Sequence, residues 1–170
     1  MSSIIKVDQI QLSDGSTPTA GDLGLNTSGA VVGFGRVKWS NESYPINTTS
    51  FVDVLNGTIT YTPKLSDSTL YITANCSVRT NGNSVGLTFR IVVDDVVVTY
   101  QLLNHEFYLN DGATDDRYDR MSKEAIVTNT STSPKVIKVQ MADYTGNNNT
   151  SRINFGDRFE SYLTVFEIAN

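Results

Sequence analysis

Leu70-Tyr71-Ile72-Thr73-Ala74-Asn75-Cys76-Ser77-Val78-Arg79-Thr80 is the stretch that decides the fold class. Leu70, Ile72, Ala74, Cys76 and Val78 alternate strictly with Tyr71, Thr73, Asn75, Ser77 and Arg79, and strand side chains point to opposite faces with period two. One row is therefore apolar and inward, the other polar and outward, as in a half-buried strand of a sandwich or barrel. Each of the four larger inward residues contributes roughly 1.5 to 3 kcal/mol on burial, so this row alone rivals the net stability of a small domain. A slip of one residue would carry Arg79 into the core, which pins the register.

Working outward, 170 residues suit one domain of ordinary size, or a short arm plus a domain. Charged residues make up only 18%, while Asn, Ser and Thr together account for about 30%, a bias towards turns and sheets. A net charge of −5 with no stretch dense in Lys or Arg argues against wrapping nucleic acid. The single cysteine, Cys76, sits in the inward row and reads as an inert buried thiol, so packing rather than a disulfide must hold the domain. No apolar run reaches the length of a signal peptide core or a membrane span, and the expectation is folding in a cytosol without membrane insertion. The Asn-x-Ser/Thr triplets at Asn47 and Asn56 then follow from composition rather than glycosylation.

Residues 1–33 differ from the remainder. Ile4, Ile5, Val7, Ile10 and Leu12 are isolated apolar positions followed by Ser13-Asp14-Gly15-Ser16-Thr17-Pro18 and by Gly21, Gly24, Gly29 and Gly33. Such a segment has too little apolar surface to offset its own ordering. It reads either as an extended arm that docks on another chain, or as a disordered leader or an extra edge strand of its own domain. Gly33-Phe34-Gly35 lacks the third glycine and following helix of a dinucleotide site and reads as a turn or hinge into the first strand.

From Phe34 strand signals recur every 8 to 12 residues. Residues 34–40 form the first, and residues 51–55 and 58–62 flank Asn56-Gly57, a pair suited to a tight turn or a bulge. The central strand closes at Asn81-Gly82, and residues 86–93 return with Leu87, Phe89, Ile91 and Val93 on one face. Asp94-Asp95 is a two-residue connection into residues 96–100, so two successive hairpins predict an antiparallel meander. Residues 101–109 read as irregular and 110–120 as a polar loop, with strands at 123–130, 135–142, 152–155 and 158–168. Gly156-Asp157 suits a II′ turn joining the last two. In the final strand Tyr162, Phe166 and Ile168 share one face and Leu163 and Val165 the other, so both faces call for cover. The expected class is all-β, a jelly-roll-type antiparallel β-sandwich with an extended N-terminal arm (residues 1–33) and a head (residues 34–170). Because the outer face of a sandwich normally meets water, the second apolar row of the last strand predicts a homo-oligomer with Tyr162, Leu163, Val165, Phe166 and Ile168 at the subunit interface.

No residues assemble into catalytic chemistry. His105 is the sole histidine, no Gly-x-Ser-x-Gly elbow occurs, and His105-Glu106 lacks the second histidine of a zinc helix. Asn110, Asp111, Asp115, Asp116 and Asp119 crowd one stretch with oxygen ligands suited to calcium, but the spacing is not that of an EF-hand, and Arg117 and Arg120 can pair with those carboxylates. A glycoside-cleaving carboxylate pair needs a geometry that spacing alone does not supply. The expectation is no enzyme, no catalytic residues, no metal and no cofactor. Among tyrosines placed near loops (Tyr44, Tyr100, Tyr108, Tyr118 and Tyr144), Tyr108, Tyr118 and Tyr144 are the candidates for receptor contact, since tyrosine joins apolar area to a polar tip.

Ser3-Ile4-Ile5-Lys6-Val7-Asp8-Gln9-Ile10-Gln11 and the Ser, Gly and Thr stretch after it resemble the short leader on many virion proteins of tailed bacteriophages, marine and cyanobacterial ones especially. The body, ending in Tyr162-Leu163-Thr164-Val165-Phe166-Glu167-Ile168, resembles the jelly-roll heads of phage fibre and knob proteins, which are similar to trimeric heads of the C1q and TNF type. The resemblance implies a structural component of a virion, assembled in the host cytoplasm. It further implies a homotrimeric head, with Ile4, Ile5, Val7, Ile10 and Leu12 anchoring the arm to other tail or capsid proteins. Long fibres usually place a coiled coil or repeat region between leader and head. Here nothing separates Gly33 from Phe34, so a short adaptor, knob or decoration protein is expected, with a head for a host receptor or glycan as the alternative.

Overall fold

The computed structural model describes residues 11, 13–18, 28–39, 44–80, 85–99, 107–109, 117–143, 151–153 and 160–170. The described chain is a two-layer antiparallel β-sandwich without helix. Eight of its strands pair in a nested series. The first, β1 (Val31–Trp39), lies against the last, β11 (Ser161–Ala169), and β3 (Val52–Tyr61) lies against β9 (Lys135–Asp143). Then β4 (Ser68–Thr80) lies against β8 (Arg117–Asn129), and innermost β5 (Val85–Val93) against β7 (Phe107–Leu109). Outermost-with-outermost nesting, wound over two sheets, is the jelly-roll arrangement. The first sheet runs β1-β11-β4-β8 and the second β3-β9-β5-β7. Three short strands extend these rows: β2 (Tyr44–Ile46) pairs β10 (Ser151–Ile153), β10 also pairs β4, and β6 (Val96–Val97) pairs β5.

The inward row of β4 is buried throughout. Leu70, Ile72, Ala74 and Cys76 are fully enclosed, and across the sandwich they join Leu87, Phe89 and Ile91 of β5, Ile137, Val139 and Met141 of β9, and Leu163 and Val165 of β11 in one core. Val93 completes the expected row of β5. Asp94 and Asp95 make the two-residue reversal with φ of 47° and 64°, the paired left-handed geometry whose twist matches a hairpin. Asp94 tolerates it because it is stitched to β9. Its N–H donates to the Val136 carbonyl at 2.9 Å, its carboxylate accepts the Val136 N–H at 2.9 Å, and Lys135 Nζ lies 3.3 Å away. Asn56-Gly57 proves to be a bulge rather than a turn. Pairing runs from Asp53↔Gln140 to Thr58↔Lys138, so residues 54–57 of β3 oppose one residue of β9, with Asn56 at φ 60°.

Several expectations are corrected. The meander is not formed, because β4 and β5 belong to different sheets. Period-two patterning marks a strand's faces but not its partner, which is why adjacent strands were read as a hairpin. No II′ hairpin joins β10 and β11 either. Ser151–Ile153 pairs with residues 78–80 and Tyr162–Ala169 with residues 68–75 of β4, both antiparallel, so the two strands run in the same direction along one edge. Ser77, between these segments, donates its N–H to Ser161 Oγ at 3.0 Å and its hydroxyl to the Glu160 carbonyl at 3.3 Å. The strand read as residues 96–100 is only two residues long, and residues 107–109, read as irregular, are β7. The polar loop ends sooner than expected, since β8 already begins at Arg117.

The boundary at residue 33 also moves. Gly29 N–H donates to the Ala169 carbonyl at 2.8 Å, Ala169 N–H to the Ala30 carbonyl at 2.9 Å, and β1 starts at Val31, so the sandwich takes in at least residues 29–33. Gly33-Phe34-Gly35 is no hinge: it sits inside β1, opposite Glu167, Phe166 and Val165. Its glycines answer to crowding, because a Cβ at Gly33 would fall 2.0 Å from the Tyr61 hydroxyl and 2.8 Å from Glu167 Oε2. That hydroxyl belongs to a buried polar knot. The Glu167 carboxylate accepts from Tyr61 Oη at 2.8 Å, from the Lys64 and Leu65 N–H groups at 2.8 Å each, and from Ser68 Oγ at 3.0 Å. Asn129 Nδ2 donates to the Leu65 carbonyl at 2.7 Å and Ser68 Oγ at 3.0 Å, tying the same loop to β8.

Candidate functional site

The two outer faces of the sandwich differ in kind. The second sheet exposes Val96 and Val136 but also carries a chain of paired polar groups: Arg90 Nε donates to Gln140 Oε1 at 2.7 Å, and Gln140 Nε2 donates to Asp53 Oδ1 at 2.6 Å. Lys138 Nζ lies 3.2 Å from Asp53 and 2.9 Å from Asp95.

The first sheet carries a continuous apolar row. Pairing places Phe34 opposite Phe166, Phe166 opposite Tyr71, and Tyr71 opposite Ile126, so one apolar row crosses all four strands. Phe34 is 59% exposed and Ile126 75%. The Phe34 and Phe166 rings are tilted with centroids 5.3 Å apart, and those of Phe166 and Tyr71 are 6.5 Å apart, within the favourable range for aromatic pairs. Val31, 61% exposed, extends the patch beside Ile168, its partner in register. Above it a charged row carries Arg36 on β1 and Glu124 on β8, with Thr164 and Thr73 between. Arg36 lies 3.9 Å from the centroid of the Tyr162 ring, and the hydroxyl of Tyr162 donates to Glu160, which also pairs with Lys38. The hydrogen bond to Glu160 pushes the Tyr162 hydroxyl's pKa up, and the contacts from Lys38 and Tyr162 hold the Glu160 carboxyl's down.

Of the expected subunit-contact residues, the fold separates two groups. Tyr162, Phe166 and Ile168 lie half-buried on this outer face. Leu163 and Val165 do not belong to it: both are fully buried in the core between the sheets and have no surface left to offer another chain. The final strand is apolar on both sides because one side closes its own sandwich. Phe34, Tyr71, Ile126 and Val31 were missed. Tyr71 was assigned to a polar row and Ile126 to an ordinary strand, and only cross-strand register sets them beside Phe166. Glu167 was missed as well, although its parity with Leu163 and Val165 already placed it inward.

Tyr118 is the second residue of β8, on its outer side and 46% exposed, with the Arg79 guanidinium 6.0 Å from its ring centroid. Tyr108 falls in β7, while Tyr144, His105, Asp111, Asp115 and Asp116 lie outside the described residues, as do Ile4, Ile5, Val7, Ile10 and Leu12. Cys76 is fully buried, and burial pushes its thiol up to about 12, a value at which the nucleophilic thiolate is scarce. Among the described residues no group of three or more His, Cys, Asp or Glu could hold a metal ion, and no helix is long and apolar enough to cross a membrane.

No family model and no curated protein matches this chain. What the chain offers to a partner is the first sheet's outer face, an apolar row four strands wide with a charged row beside it.

Proposed function

We propose that the protein is a non-enzymatic structural component of a tailed-phage particle, a homotrimeric jelly-roll head joined to tail or capsid proteins through its N-terminal arm. The observation that carries this reading is the one-sided outer face of the first sheet. Monomeric proteins rarely leave a large contiguous apolar patch in water, and here an aromatic and aliphatic row from Phe34 to Ile126 crosses all four long strands of the sheet that contains the final strand. The resemblance of Ser3 to Gln11 to virion leaders supports the arm's role, and Ile4, Ile5, Val7, Ile10 and Leu12 are its proposed anchor. Light scattering on the purified full chain tests the assembly. A mass of three times 18.6 kDa is expected, and a single chain at all concentrations overturns it. Removal of residues 1–12 is expected to leave a folded oligomer that no longer joins particles, and locating the protein's density in an intact particle tests tail against capsid.

A second reading, a head that contacts a host receptor or glycan, draws on Tyr118, exposed beside Arg79 at the end of β8 remote from the apolar row. Binding of the purified protein to host cells, abolished by Tyr118→Ala, would favour it.

A further inference from the structure

The charged row beside the apolar patch has a polarity of its own. Arg36 pairs with Thr164, Thr164 with Thr73, and Thr73 with Glu124, so a cation on one edge strand and an anion on the other stand at the same height on the same face. Three strand spacings, about 14 Å, separate them, too far to meet within one chain. Both residues are exposed, and each is held by an aromatic neighbour. Arg36 stacks on Tyr162, and Glu124 accepts a hydrogen bond from the Tyr71 hydroxyl that pushes the hydroxyl's pKa up.

From this register we infer that copies of the chain meet about a rotation axis parallel to the strands of the first sheet, with Arg36 of one copy paired to Glu124 of the next. This deepens the reading of that face as a contact between copies and rests on it. A rotation about an axis along the strands leaves height unchanged and brings β1 of one copy to β8 of its neighbour. Phe34 then meets Ile126 in the apolar row while Arg36 meets Glu124 in the charged row, at every contact of a closed ring whatever its order. An axis across the strands would set β1 against β1 and β8 against β8, gathering like charges along each edge. Lys38, already paired with Glu160 in its own chain, is not required. The edge of β8 that has no partner among the described residues is an unsuitable alternative for joining copies. Lys123 points inward there and donates to the Phe89 carbonyl at 2.6 Å, and an inward charge on an edge strand opposes strand-to-strand addition.

The test is a dilution series of the full chain by sedimentation equilibrium. Glu124→Arg is expected to weaken self-association by about tenfold or more, since it sets two cations together. Arg36→Glu should do likewise, and the double exchange Arg36→Glu with Glu124→Arg should recover most of the loss. Lys38→Glu, one row away, should change association far less. Circular dichroism checks that each variant is folded, which both exposed positions favour. If the wild type assembles but Glu124→Arg leaves its association unchanged, or the double exchange fails to recover, the pairing and its axis are wrong while the face remains the contact. If the wild type is a single chain throughout, the reading of the face fails first.

Discussion

Gly33 and Glu167 face one another across β1 and β11, and together they explain a close approach that no other residue pair would allow. Adding one methyl at Gly33 drives a Cβ onto the Tyr61 hydroxyl, so Gly33→Ala is expected to destabilise the fold by about 2 to 3 kcal/mol in urea denaturation. Burial by itself would raise the Glu167 carboxyl's pKa, but the Lys64 and Leu65 N–H groups and the Tyr61 and Ser68 hydroxyls outweigh it and hold the value below the usual carboxylate range. A carboxyl lowered on folding contributes stability above its unfolded value, near 4.5, and loses that contribution as pH falls through the folded value. Burial and then the neighbouring carboxylate push the Tyr61 hydroxyl's pKa up from 10.0, so its contribution is present below 10 and declines above it. Stability measured across pH should accordingly fall off below about 4. Glu167→Gln should flatten that acid limb and cost about 2 to 3 kcal/mol at pH 7, because an amide cannot accept from four donors.

Among the strands, β4 is the element on which the first sheet is assembled, with β8 along the whole of one edge and β10 and β11 end to end along the other. Its alternation was plain from residues 70–80, yet its partners were not, since period-two patterning is blind to which strand lies alongside. The Asp94-Asp95 reversal shows what a short turn needs from elsewhere: two non-glycine residues at positive φ, kept there by bonds to β9. Asp94→Ala removes the carboxylate that accepts from Val136 and the ion pair to Lys135, and a loss of about 1 to 2 kcal/mol in thermal or urea unfolding is expected. On β8, replacing the inward amine by Lys123→Val should leave the chain folded but lower its solubility, read as rising scattering on concentration, because the edge would lose its guard.

For the molecule as a whole, the decisive feature is the apolar row of Phe34, Phe166, Tyr71 and Ile126 across the outer face of the first sheet, whereas the second sheet carries a chain of paired polar groups there. Phe34 and Ile126 lie outside the core, so the pair Phe34→Lys and Ile126→Lys should preserve folding and reduce the oligomer to single chains in light scattering. An unchanged mass would remove the face from any part in assembly. The jelly-roll nesting also brings the first and last described strands, β1 and β11, side by side in one sheet.

Alternation, composition and turn residues determined from the sequence that this chain is an all-β sandwich, where Cys76 and the inward rows of β4 and β5 sit, and that Asp94-Asp95 reverses the chain, because each of these depends on neighbours only a few residues away. Tertiary structure alone decided that β4 and β5 lie in opposite layers, that β10 and β11 share an edge, that Leu163 and Val165 serve the core while Phe166 serves the surface, and that Glu167 is buried among donors from residues 61–68. Those outcomes turn on pairing between segments up to a hundred residues or more apart, and a strand's own pattern specifies its faces without naming the strand it will bond.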